Sequence, residues 1–239
     1  QNYLFVDGRY TLQANKQSGK FFKIKTIPHE LPEKILRNKK LKIGFDPKLF
    51  TKKTLNFFFG KTNCKYIPLN KNLVDKVWMR KKNTLKNKFY SLPSNSIDVN
   101  YKVKVNKIFS HLKKNGADFQ FITSSENNAW LLNIRGGDSK YTPIPYSYIL
   151  LDKKKVINFF CDLKKITSAF KKKFSRIKFY NINDTSVILS KIIGKKILID
   201  ENTCSIYYEN NILKNNKILS LQDPIYDFKA IKTKKEIEN

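Results

Sequence analysis

Short apolar runs alternate with lysine-rich polar stretches along the whole chain, and the period of the runs switches between strand-like and helical. Tyr3 to Val6 is an apolar strand ending at the Asp7-Gly8 turn, and Thr11 to Gln17 has helical character. After a loop carrying Pro28 and Pro32, the pattern predicts a helix over Lys34 to Lys39 and a strand over Leu41 to Phe45. Asp46-Pro47 sets a capping acid before a proline, which is a start signal for a helix over Lys48 to Phe58. A strand, Lys65 to Leu69, and a helical piece, Leu73 to Met79, come next; Lys81 to Ser96 is polar, contains Pro93 and reads as a linker. Beyond it Tyr101 to Lys114 keeps the 3.6-residue period of one helix, closed by Asn115-Gly116, and Phe119 to Thr123 is a strand. Asn128 to Ile134, Tyr146 to Leu151, Val156 to Cys161, Lys178 to Tyr180 and Lys196 to Ile199 are further segments, with helices near Ile166 to Lys173 and Ser186 to Ile193. This alternation predicts an α/β fold.

One spacing recurs. Asn2 to Asp7 resembles Ile157 to Asp162, Leu41 to Asp46 resembles Lys195 to Asp200, and Lys65 to Leu69 resembles Lys217 to Leu221, at offsets of 155, 154 and 152 residues. Three matches at nearly one spacing predict a duplicated domain. In the second copy residues 101–155 precede the first match, whereas nothing precedes Gln1, so the first domain is expected to be only the second half of a similar one. Met79 is the only methionine and the chain opens inside a strand-like run, which reads as a fragment of a longer polypeptide.

Composition narrows the classes. Hydrophobic residues at 41%, with 18 Phe and 12 Tyr, supply the apolar surface that a disordered chain lacks. Lysines interrupt every apolar run before it reaches the length of a membrane span, so no membrane partner is expected. A net charge of +29 invites an anionic partner. Only five of the 48 basic residues are arginine, however, and the lysines are spread evenly, so non-specific adhesion to polyanions is expected and a specific nucleic-acid site is not. Cys64, Cys161 and Cys204 are an odd set without Cys-x-x-Cys spacing, which fits reduced, mostly buried thiols in a cytoplasmic protein.

Hydrolytic chemistry needs an activated nucleophile or a metal-bound water, and His29 and His111, the only histidines, have no metal partner at ligand spacing. The glycines form no nucleophile elbow, phosphate loop or dinucleotide fingerprint. Two polar clusters remain, Asp7-Gly8-Arg9-Tyr10 and Arg135-Gly136-Gly137-Asp138. Each sets an Arg and an Asp beside glycine after an apolar segment, where the pair forms either a site facing a cleft or a structural salt bridge that pins a turn.

At these residues the chain resembles the Xaa-Pro aminopeptidases (aminopeptidase P) of the pita-bread metallopeptidase class. The matching pieces are Val6 to Tyr10 with Leu12-Gln13-Ala14, Ile43 to Pro47, and Asn72 to Asp75 with Trp78 and Arg80. The longest block runs from Ile122 through Ala129-Trp130-Leu131-Leu132-Asn133-Ile134-Arg135-Gly136-Gly137-Asp138 to Pro145-Tyr146-Ser147-Tyr148. Asp223-Pro224-Ile225 and Lys229 to Ile237 resemble the entry into that family's catalytic domain, where Thr233-x-x-Glu236 is also a capping box. Gly137 stands where the family often has Ser, and Lys81 where Pro is usual.

The resemblance implies two tandem creatinase/prolidase N-terminal domains of ribonuclease-H-like α/β topology, with mixed sheets flanked by helices. Residues 1–92 would hold the end of a truncated first domain plus the linker, residues 96–228 the second domain, and residues 229–239 the start of the catalytic domain. It implies a non-catalytic region that limits access to short proline-containing peptides and contributes to homo-oligomer contacts beside its own catalytic domain. The parent chemistry would be release of the N-terminal residue from peptides with Pro in second position, at a pair of divalent metals, manganese or zinc. The ligands of those metals lie in the absent domain, so neither metal nor catalytic residues are expected in this chain. Asp7, Arg9, Trp130, Arg135, Gly136 and Asp138 are the motif residues expected to face the cleft or to serve structure. The alternatives are a stand-alone binding module built from the same domain and a basic nucleic-acid-binding protein.

Overall fold

The computed structural model describes residues 1–78 and 87–238, and the chain divides into two compact units, Gln1–Met79 and Arg80–Asn239. Met79, Arg80 and Lys81, used in the sequence reading, lie outside the described residues.

The first unit runs β1 (Tyr3–Asp7), α1 (Thr11–Ser18), β2 (Lys23–Ile27), α2 (Pro32–Leu36), β3 (Lys42–Phe45), α3 (Lys52–Phe59), β4 (Lys65–Pro68) and α4 (Leu73–Val77). β1 and β2 form one parallel pair, β3 and β4 another. Asp46-Pro47 does not start α3. The Asp46 carboxylate instead accepts the Lys48 amide at 2.9 Å and closes a turn, and the helix begins after Thr51, whose hydroxyl and backbone exchange hydrogen bonds with Thr54 in a capping box.

The second unit adds β5 (Tyr90–Ser91), α5 (Tyr101–Lys114), β6 (Phe119–Ile122), α6 (Ser125–Leu132), β7 (Ile134–Arg135), β8 (Tyr148–Asp152), β9 (Ile157–Cys161), α7 (Ser168–Lys173), β10 (Ile177–Asn181), α8 (Thr185–Ser190), β11 (Lys196–Ile199), α9 (Ile206–Leu213), β12 (Lys217–Ser220), α10 (Ile225–Ala230) and α11 (Lys234–Glu238). Six strands form a mixed sheet in the order β10-β9-β8-β6-β11-β12, with β8 antiparallel to both of its neighbours. Apolar clusters cover both faces of this sheet. Phe159, Ile149 and Leu198 lie in one, and Phe121, Leu150, Phe160, Ile197 and Ile199 in the other. The described part of the segment read as a linker belongs here, because Phe89 is 3% exposed in the core and β5 pairs antiparallel with β7. Its polar composition hid a single large anchor.

The repeat is visible in three dimensions. β1-α1-β2-α2-β3-α3-β4-α4 and β9-α7-β10-α8-β11-α9-β12-α10 have the same order, and β1 with β2 has the register of β9 with β10. Asp7 and Asp162 each accept the amide two residues on, as do Asp46 and Asp200. The copies differ in what surrounds them. β9 and β11 have β8 and β6 on their other edges, whereas β1 pairs only with β2 and β3 only with β4 among the described residues.

Candidate functional site at the Trp130–Asp138 segment

Helix α6 is buried on most of its circumference, with Asn127, Asn128, Ala129, Leu131 and Leu132 all inside. Apolar periodicity is therefore weak there, which explains why the sequence showed a segment without a helical signature. Its buried amides need partners. Asn128 Nδ2 donates to the Ser147 carbonyl at 2.8 Å; Asn127 donates to the Asp223 carboxylate at 2.7 Å and accepts from Lys229 Nζ at 2.7 Å. The helix ends at Asn133, whose left-handed backbone (φ 53°) turns the chain into β7.

Trp130 and Arg135, which flank that turn, line one cavity of about 490 Å³ together with Lys104, Asn133, Lys232 and Glu236. Lys104 enters from α5, on the buried stripe of Val105, Ile108 and Leu112. Its ammonium lies 3.9 Å from the centre of the Trp130 ring and donates to the Trp130 carbonyl at 3.0 Å and to Asn133 Oδ1 at 2.7 Å. Burial pushes its pKa down to about 8, with the Arg135 and Lys107 charges acting in the same direction and Glu236 against them. Trp130 Nε1 donates to Glu236 Oε1 at 3.3 Å, while Glu236 Oε2 accepts the Thr233 amide at 2.9 Å, which is one half of the capping box at the start of α11.

Gly136 and Asp138 face elsewhere. A Cβ on Gly136 would stand 2.8 Å from the Phe89 ring and 2.9 Å from Pro145 Cα, so the glycine permits a close crossing of three segments. Asp138 does not pair with Arg135. Its carboxylate forms an ion pair with Lys165 and accepts the Tyr146 amide at 2.6 Å, while Arg135 Nη1 donates to the Ile134 carbonyl at 2.9 Å and the Ala129 carbonyl at 3.5 Å. In the first unit Asp7 and Arg9 do pair, at 2.9 Å, but with exposed side chains, and the carboxylate also holds the Arg9 amide. That pair pins a turn.

The sequence reading missed Lys104, and it quoted Asn133, Asp200 and Asp223 only inside longer matches, with no role in a site. Asp223, 3% exposed, accepts from Gln120 Nε2, Asn127 Nδ2 and the Ile225 amide, and its own amide donates to Asp200. Burial raises the Asp223 pKa from 3.8 to about 6, and the neighbouring Asp200 adds to the rise. The folded state thus holds this proton more tightly than the unfolded chain, so its contribution to stability grows as pH falls from about 6 to 4, on the order of 3 kcal/mol. Urea denaturation at pH 7 and pH 4.5 should show wild type gaining on Asp223→Asn upon acidification. Parallel curves for the two proteins would contradict it.

Among the described residues no helix is long and apolar enough to cross a membrane, and no group of three or more His, Cys, Asp and Glu is placed to hold a metal ion. Cys64, Cys161 and Cys204 are free thiols.

The chain is 30% identical to a probable Xaa-Pro aminopeptidase P of Laccaria bicolor over 99% of its own length and 39% of the relative's. It is 29% identical to Xaa-Pro aminopeptidase 1 of Dictyostelium discoideum over 98% of the chain and 40% of the relative. It therefore spans about two fifths of the length of these relatives. In fold it matches the crystal structure of an X-prolyl aminopeptidase from Caenorhabditis elegans, described as a cytosolic enzyme with a di-nuclear active site, with a TM-score of 0.84 and 22% identity over 99% of this chain and 41% of that one. Residues 80–236, which contain the Trp130 cavity and the six-stranded sheet, match the creatinase/prolidase N-terminal domain, and the chain belongs to that family.

Proposed function

We propose that the chain is the non-catalytic N-terminal region of a cytoplasmic Xaa-Pro aminopeptidase, a scaffold that limits access to short proline-containing peptides and contributes to oligomer contacts. The observation that carries this reading is the match along 99% of the chain to relatives of that name. The family's pair of divalent metals does not fit the residues present, because no ligand cluster exists among the described residues. The metal chemistry accordingly belongs to a following catalytic domain. We further infer that the first unit is half of a domain like the second, completed by a segment built like residues 101–152.

The downstream reading frame tests the assignment. Metal-ligating Asp, His and Glu in a following domain support it, whereas a stop codon just after Asn239 favours the stand-alone module. The purified chain, supplied with manganese, cobalt or zinc, is expected to show no turnover of a short Xaa-Pro peptide. Turnover that a chelator removes would overturn the non-catalytic reading.

A further inference from the structure

Two cations of the Trp130 cavity, buried Lys104 and half-buried Arg135, have no counter-ion in contact among the described residues, and an exposed third, Lys232, also lines it. Lys104 is 5% exposed, and the partners of its ammonium are a backbone carbonyl, an amide oxygen and a ring face. Arg135 uses only Nη1, on two backbone carbonyls, so the Nε–Nη2 edge of its guanidinium makes no hydrogen bond among the described residues. Neither side chain forms an ion pair there. The two acids lining the cavity are engaged by N–H groups instead: Glu236 by Trp130 Nε1 and the Thr233 amide, Asp98 by the Lys235 amide at 2.6 Å. A buried ammonium paired only with neutral oxygens is costly, and an anion beside it relieves that cost.

We propose that this cavity is a binding site for a carboxylate, held by the free Nε–Nη2 edge of Arg135 and stabilised by the charge of Lys104, with Trp130 as its apolar wall. The planar edge of a guanidinium matches two carboxylate oxygens. Two of the three Lys104 N–H donors go to the Trp130 carbonyl and Asn133 Oδ1 and the ammonium lies over the Trp130 ring, so it acts chiefly as a positive charge. With Lys104, Arg135 and Lys232 against Glu236 and Asp98, the lining carries one net positive charge, which a single carboxylate neutralises. The volume of about 490 Å³ admits a ligand the size of a short peptide. The carboxylate is therefore either the C-terminus of such a peptide or a small free acid. This site does not depend on the proposed parent activity.

The test follows the Trp130 indole N–H by NMR in the whole chain, with Trp78→Phe leaving one indole signal. The probes are Ala-Pro-Ala with a free C-terminus, the same peptide amidated, acetate and inorganic phosphate. The free acid and acetate should shift the signal saturably, and the amide should not. Tighter binding of the acid peptide than of acetate identifies a peptide C-terminus as the source, and equal binding identifies a small acid. Arg135→Gln should raise Kd at least about tenfold, as expected for loss of a charge-assisted pair, and so should Lys104→Met. Arg135→Gln loses only contacts to backbone carbonyls, so it keeps the test sound if Lys104→Met fails to fold. No saturable shift, an equal shift with the amide, tighter binding of phosphate than of acetate, or unchanged affinity in folded Arg135→Gln would each overturn the proposal.

Discussion

In hydrogen exchange, the amides of β1 should exchange at least about a thousandfold faster than those of β9 in the same molecule, the difference between a marginal strand pair and a central strand. The two strands occupy equivalent places in the repeat. β9 lies between β8 and β10, and Ile157, Phe159, Phe160 and Cys161 are each at most 6% exposed. Opening it requires breaking the core on both faces of the sheet. Among the described residues β1 pairs with β2 alone, and Tyr3 to Val6 are half-buried. Apart from Pro32 and Pro47, Ala14 is the only apolar residue of the first unit buried among the described residues, while Leu12, Phe21, Leu49, Leu73 and Val77 are each more than half exposed. Unpaired strand edges beside uncovered apolar surface recruit other chains, so concentration-dependent association should accompany the fast exchange. Equal, strong protection of β1 and β9 in a monomer would mean that the first unit is complete as it stands, against the proposed half-domain.

The sequence showed elements wherever one face of a helix or strand is apolar, and it was silent where packing is two-sided or polar. Helix α5 was readable from Val105, Ile108 and Leu112, closed by Asn115-Gly116, and the structure has it over the expected residues. Helix α6 carried no such stripe, since its Asn127 and Asn128 are as buried as its leucines. β2 was passed over because Lys23 and Lys25 interrupt its apolar positions, and α9 because two asparagines do the same. In the site, Trp130 and Arg135 were legible as part of a long block. Lys104 was not, being one of several lysines on α5, although its phase, four residues before Ile108, put it on the buried stripe. The expected Arg135–Asp138 pair failed for a reason that no spacing reveals. Lys165, from the short 3-10 helix Leu163–Lys165, and the Tyr146 amide take the Asp138 carboxylate, while the Ile134 and Ala129 carbonyls take the Arg135 guanidinium.

Phe160→Ala should cost the second unit about 3–5 kcal/mol, the usual price of emptying a buried aromatic site. Its thermal midpoint should fall by roughly 6–20 °C at the sensitivity of a domain of this size. The equivalent change in the first copy, Phe5→Ala, should cost about 1 kcal/mol or less, the range of substitutions away from a packed core. Phe5 and Phe160 each stand two residues before the aspartate that closes the following turn, and each is paired with the residue twenty positions on, Lys25 and Tyr180 respectively. Their strand positions are the same, so intrinsic propensity and register cancel in the comparison. What differs is the cover. Phe160 is fully buried in a cluster with Phe121, Leu150 and Ile197 and stacks on Tyr180 with ring centres 5.6 Å apart. Phe5 is half-buried, with Tyr3 as its aromatic neighbour at 6.4 Å. Deleting the Phe160 ring leaves a cavity inside a closed layer, whereas deleting the Phe5 ring removes surface that water already reaches. Urea denaturation of both variants, followed through exchange of β9 and β1 amides, separates the two effects. A loss for Phe5→Ala as large as that for Phe160→Ala would show a covering layer over β1 and would remove the physical basis for a missing segment there.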